Sequence, residues 1–176
     1  VTWTEFFYCG DCYYCSVLNM PQKCVKIRKY GHDTSDEKPH FLGGFAEYCY
    51  ILPRTGIVRI PDNMTDEEAA PVMCGVPTMV SATESVSVGI GDAVVIQGLG
   101  LLGLYGVALA RARGARTVVG LDSVQARLEM ATTFGADEVF DVSKMSADEL
   151  VAAVRHVCPP DGADVIIEVC GDPSVI

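Results

Sequence analysis

Residues 9–24 read CGDCYYCSVLNMPQKC. Cys9, Cys12 and Cys15 are separated by two residues each, and eight residues separate Cys15 from Cys24. Soft thiolates delivered by one loop suit a tetrahedral metal, and a set of four leaves no open position. Such a site is a brace and not a reaction centre. An iron–sulfur cluster shares the opening C-x2-C-x2-C but then wants C-x3-C-P, whereas here the last gap is longer and Val25 follows Cys24. Zinc is the expected ion. A loop with few apolar contacts gains from it, because metal binding is folding energy there.

A second constellation lies in VVIQGLGLLG, where Gly98, Gly100 and Gly103 have GxGxxG spacing. The motif is informative because an apolar strand pattern precedes it and a helical pattern follows. The first glycine makes a tight turn, the second lets a pyrophosphate approach the backbone, and the third lets the helix pack on the strand. The helix start, including Leu101 and Leu102, offers N–H groups to the anion. Asp122 ends the next apolar run, TVVGLD. A carboxylate there accepts from the ribose hydroxyls of NAD and repels the 2′-phosphate of NADP.

The elements around these residues differ in texture. Up to about residue 62, short β-like runs (Ala46 to Leu52, Ile57 to Ile60) alternate with Gly, Pro and charged stretches, as in a loop-rich all-β domain. Lys29 to His40 reads as a loop. Thr65 or Asp66 caps a helix toward Met73. From Asp92 onward strands alternate with helices: strands Ala93–Gln97, Thr117–Leu121, Glu138–Phe140 and Val165–Val169, and helices Leu101–Arg113, Ser123-capped to Phe134, and Ser146-capped to Val157. Gly135 stops the second of these helices, and Pro159-Pro160 stops the third. That alternation predicts βαβ units and a parallel sheet.

Bulk properties narrow the classes. The net charge of −10 disfavours a nucleic-acid partner. The apolar stretch from Val94 to Ala110 is short for a membrane span and broken by Gln97 and glycines, so no membrane partner is expected. VTWTEFFYC has no basic signal region. Eight cysteines with four clustered suit ion ligation in a reducing compartment, hence the cytoplasm, better than a disulfide framework. Both ends read as interruptions of longer elements, so a fragment of a longer protein is expected.

A four-cysteine loop followed by a dinucleotide-binding half resembles the zinc-dependent medium-chain alcohol dehydrogenases over the whole chain. CGDCYYC with Cys24 looks like the structural zinc lobe, although many members have one residue fewer before the last cysteine. GGFAEYCYI (Gly43 to Ile51) looks like the family's GGxAEY strand. QGLGLLGLYGVALARARGA, LDSVQARLEMATTFGAD and GADVIIEVCG look like successive cofactor-binding units. The resemblance implies an α/β fold: a partial GroES-like β-rich catalytic domain over 1–72, with the zinc lobe at 9–24, then a partial Rossmann doubly wound parallel sheet over 73–176.

The resemblance also assigns roles. Cys74 would be a ligand of a catalytic zinc, Thr78 would pack against the nicotinamide, and Arg127 would lie near the adenosine ribose. His32 and His40 follow the lobe and read as loop histidines. His156 suits a helix C-terminus. The implied activity is oxidation of a small-molecule alcohol to an aldehyde or ketone, or the reverse, by hydride transfer to NAD. Zinc would polarise the substrate oxygen. The full-length protein would be a homo-oligomer, and the 176-residue chain alone would be inactive. A zinc-free NAD(P)H reductase of the same superfamily and a non-catalytic nucleotide-binding module are the alternatives.

Overall fold

The computed structural model describes residues 1–34 and 36–172. It divides into two compact units, Val1–Cys74 and Gly75–Ile176. Cys74 therefore belongs with the N-terminal unit, two residues beyond the boundary expected from sequence.

The N-terminal unit is built from fragments of secondary structure. Strand β1 (Thr2–Trp3) pairs antiparallel with β4 (Ile57–Val58), and β2 (Phe6–Phe7) pairs antiparallel with β3 (Arg28–Lys29). A single helical turn, α1 (Tyr13–Ser16), and a 3-10 turn (Pro21–Lys23) lie within the cysteine loop. The buried apolar residues here are Cys24, Tyr30, Leu42 and Ala69. The Tyr30 hydroxyl pairs with Thr55 Oγ1 at 2.7 Å and accepts from the Leu52 backbone at 2.8 Å. The Tyr30 ring meets Trp3 edge-on, with centroids 6.1 Å apart.

Two expectations for this unit fail. Ala46 to Leu52 forms no strand, because no ladder of backbone hydrogen bonds joins it to another described segment. Its links are isolated: the Tyr50 N–H reaches the Phe41 carbonyl at 2.7 Å, and Phe45 and Tyr48 stand exposed. The helix expected to reach Met73 is broken. Helix α2 (Asp66–Ala69) starts at a capping box in which Thr65 and Glu68 exchange hydrogen bonds, then tightens to a 3-10 turn over Ala70–Met73, with Pro71 at its start.

The C-terminal unit contains α3 (Gly75–Ser85), β5 (Ala93–Gln97), α4 (Leu101–Ala112), β6 (Thr117–Asp122) and α5 (Gln125–Phe134). These are followed by β7 (Glu138–Asp141), α6 (Ala147–Val157) and β8 (Val165–Glu168). The four strands form one parallel sheet in the order β7-β6-β5-β8. Strand side chains alternate between faces. Val94 and Ile96 join Met79, Val107, Leu128 and Ile167 in one cluster, and Ala93 and Val95 join Val119, Leu121 and residues of α6 in the other. Helices thus cover both faces, the doubly wound arrangement expected. Gly135, at φ 109°, ends α5, and the Ser146 capping box starts α6. Helix α3 was not anticipated, because its Val, Thr and Pro residues argue weakly for helix. The N-cap of α5 is Val124 and not Ser123. The Asp122 carboxylate accepts from the backbones of both residues, at 2.8 and 2.9 Å, and so fixes the entry to that helix itself.

Candidate functional site

The structure brings the four clustered cysteines together. Their sulfurs all lie within 4.8 Å of one another, with Cys12 to Cys15 at 3.4 Å and Cys9 to Cys24 at 3.5 Å. A tetrahedron with arms of about 2.3 Å has edges of about 3.8 Å, so the donor set fits zinc. Local structure explains the convergence. Cys12 is the N-cap of α1 and Cys15 lies inside it, while Cys24 ends the 3-10 turn. Gly10 turns the chain at φ 78°, and the Arg54 guanidinium holds the Cys9 carbonyl. The N–H groups of Cys9 and Lys26 point at the Cys24 sulfur, at 3.4 and 3.3 Å. Such donors stabilise a thiolate. The Val25 backbone brings the Cys12 thiol down to about 6, whereas burial pushes Cys15 up to about 12. A bound dication supplies the charge that ionises the reluctant members.

Cys74 stands apart from that cluster. It follows the Ala70–Met73 turn and is exposed, with Glu5 and Lys29 as its charged neighbours. Burial first, and then Glu5, raise its thiol pKa. Thr78 is an exposed residue of α3.

The glycine turn lies in the other unit. Gly98, at φ 91°, is bound by its N–H to the Leu121 carbonyl at 2.8 Å. A Cβ on Gly103 would fall 1.8 Å from the Gly98 carbonyl oxygen, so α4 can approach β5 only through glycine. A Cβ on Gly100 would meet no atom within 4 Å. Space is therefore left open at the one glycine whose expected duty is to admit a ligand. No side chain caps α4, which starts after Gly100 at Leu101 and Leu102, so its first N–H groups could receive an anion.

Asp122 is 7% exposed, which changes its reading. One oxygen accepts from the Leu99 backbone at 2.7 Å and lies 3.6 Å from Arg127 Nη1, and the other holds the start of α5. Burial pushes the carboxyl up, but the Leu99, Val124 and Ser123 N–H groups and the Arg127 guanidinium outweigh it and hold it below the usual range. Asp122 thus organises the turn as well as facing the cavity. That cavity, about 630 Å³, opens at the C-terminal ends of β5 and β6 and is lined by Gly98, Asp122, Arg127, Val142, Cys170 and Asp172 among others. Carboxyl ends beside a reversal of strand order are where open α/β sheets bind ligands. Cys170 and Asp172 were missed in the sequence. Their place just past the fourth strand was the available signal.

Residues 102–176 match the family described as zinc-binding dehydrogenase. The chain is 29% identical over 173 residues to 5-exo-hydroxycamphor dehydrogenase of Pseudomonas putida, covering 97% of this chain and 46% of that protein. It is 38% identical over 141 residues to D-xylulose reductase A of Aspergillus oryzae, covering 78% and 38%. The crystal structure of an alcohol dehydrogenase from Thermotoga maritima superposes with a TM-score of 0.88 at 31% identity, over 99% of this chain and 48% of that one. The chain spans about half the length of the curated relatives it matches.

Proposed function

The chain belongs to the zinc-binding dehydrogenases of the medium-chain dehydrogenase/reductase superfamily, and from that premise we propose that its protein interconverts an alcohol and an aldehyde or ketone with NAD. The observation that carries the reading is a glycine turn that leaves open space at Gly100 and whose Gly98 lines the same cavity as the pinned carboxylate of Asp122. Among the described residues no helix is long and apolar enough to cross a membrane.

Each residue has a defined task. Gly98 bends the chain, Gly100 admits the pyrophosphate, and the N–H groups at Leu101 and Leu102 receive its charge. An ionised carboxylate has about four lone-pair positions, and three backbone donors occupy Asp122. The remaining capacity serves a ribose hydroxyl, with Arg127 alongside. Its negative charge disfavours a 2′-phosphate, which selects NAD over NADP. Thr78 packs against the nicotinamide ring. Cys9, Cys12, Cys15 and Cys24 hold a structural zinc that braces their loop. Cys74 is one ligand of a catalytic zinc. When bound, the nicotinamide cofactor supplies the hydride acceptor and the catalytic zinc supplies Lewis-acid polarisation of the substrate oxygen. A small-molecule alcohol or carbonyl as substrate, a homo-oligomeric whole protein and a cytoplasmic location complete the proposal.

Calorimetric titration of the chain with NAD and NADP tests it. The expected result is binding of NAD, with NADP at least about tenfold weaker from like-charge repulsion at Asp122. Failure to bind either dinucleotide, or preference for NADP, would overturn it.

A further inference from the structure

The glycine turn is held from two sides. On the β6 side the hold is Asp122. On the β8 side it is Glu168, which lies inside the GADVIIEVCG stretch but has no role assigned from sequence. A single oxygen, Glu168 Oε1, accepts from the Cys170 backbone at 2.7 Å, the Cys170 thiol at 2.7 Å and the Gly171 backbone at 2.9 Å. This fastens the chain just after β8 into a tight bend. The bend lies directly behind the turn: a Cβ on Gly98 would sit 2.7 Å from the Cys170 nitrogen and 2.8 Å from its Cα. The Cys170 backbone is therefore the wall against which Gly98 runs. Cys170 also lines the cavity that Asp122 faces.

The chemistry of the pair excludes a different role. Donation to Glu168 raises the Cys170 thiol above its ordinary pKa, and the same hydrogen bond lowers the Glu168 carboxyl. Cys170 is thus a protonated donor and not an activated nucleophile. At the opposite end of β5, Asp164 makes a comparable bond to the Ala93 N–H at 2.7 Å, remote from the turn.

We propose that Glu168 is a positioning residue of the cofactor site, whose carboxylate holds Cys170 and Gly171 behind Gly98 so that the turn stays open to a pyrophosphate. The inference rests on the dinucleotide reading above. It assigns the strand across the order reversal an active part, where the glycine motif alone credits β5 and β6.

The test compares Glu168→Gln, which keeps an acceptor oxygen, with Glu168→Ala, which does not, and uses Asp164→Ala as a stability control. Calorimetric titration with ADP-ribose is paired with thermal melting of each variant. Glu168→Ala should bind ADP-ribose about tenfold more weakly, with Glu168→Gln restored to within about threefold of wild type. Asp164→Ala should melt lower with its affinity unchanged. Wild-type affinity in Glu168→Ala would overturn the proposal. So would an affinity loss in Asp164→Ala matching its loss of stability, since affinity would then follow stability alone. Failure of the wild-type chain to bind ADP-ribose would instead sink the dinucleotide reading, and the proposal with it.

Discussion

The cysteine lobe and the parallel sheet reach order by different means. Both contiguous apolar clusters lie wholly in the C-terminal unit, where Val94, Ile96, Val107, Val118 and Val119 have no exposed surface. The lobe carries Tyr13, Val17 and Val25 largely in solvent, and the one buried residue of its loop is Cys24, itself a candidate ligand. One unit is held by removing hydrocarbon from water. The other has convergent sulfurs where a core would be, so the proposed zinc would tie its stability to an ion. Two neighbouring stretches of one chain can therefore respond oppositely to the same treatment.

The sharpest way to break this comparison is to remove the metal. Chelation, or Cys24→Ser, should release backbone protection across residues 9–24 while β5 and β6 keep theirs, as read by hydrogen exchange with mass spectrometry. The expected scale is set by structural zinc in small peptides, about 10–16 kcal/mol of binding energy. Unchanged exchange in the lobe after the ion is gone would show that it folds by packing after all. The reciprocal experiment is Ile96→Ala, which empties a fully buried position. It should cost about 2–5 kcal/mol in denaturant unfolding of the C-terminal unit and leave zinc content unchanged. A loss of zinc would mean that the units are energetically coupled. The smallest effect sharpens the comparison with one motif found in both units. Thr65→Ala and Ser146→Ala each remove a capping box and should each cost about 0.5–2 kcal/mol. A much larger melting shift for Thr65→Ala would mark the Asp66–Ala69 helix as a keystone of the thinly packed unit.

Much of the C-terminal unit was legible because its determinants are local. A parallel strand covered on both faces is a continuous apolar run, and Ala93–Gln97 and Thr117–Leu121 read that way. Ser146 and Gly135 mark helix ends by chemistry confined to a few residues. Ala46 to Leu52 shows the converse. Its alternation promises a strand, yet a strand exists only in a ladder, and among the described residues one isolated bond to Phe41 does not make one. Of the site, the cysteines and glycines were legible because spacing alone constrains them. Asp122 was read as a ligand to ribose, and its second duty toward Leu99 was hidden because that bond spans 23 residues of sequence. The link from Glu168 through Cys170 to Gly98 was hidden for a related reason. Its importance comes from which strand lies beside β5, and a parallel sheet does not disclose that order in the sequence of any one strand.

That strand order also has a consequence for how the chain is made. Strand β6 follows β5 closely in the chain, but the other neighbour of β5 is β8, and the Ala93–Asp164 bond spans 71 residues. At about 5–20 residues per second, the ribosome needs several seconds to deliver that strand. During the interval the flank of β5 is a row of open amide and carbonyl groups along an apolar surface, adhesive to any similar strand nearby. A strand internal to the described sheet is thus, on the nascent chain, an open edge on one side until β8 has been made.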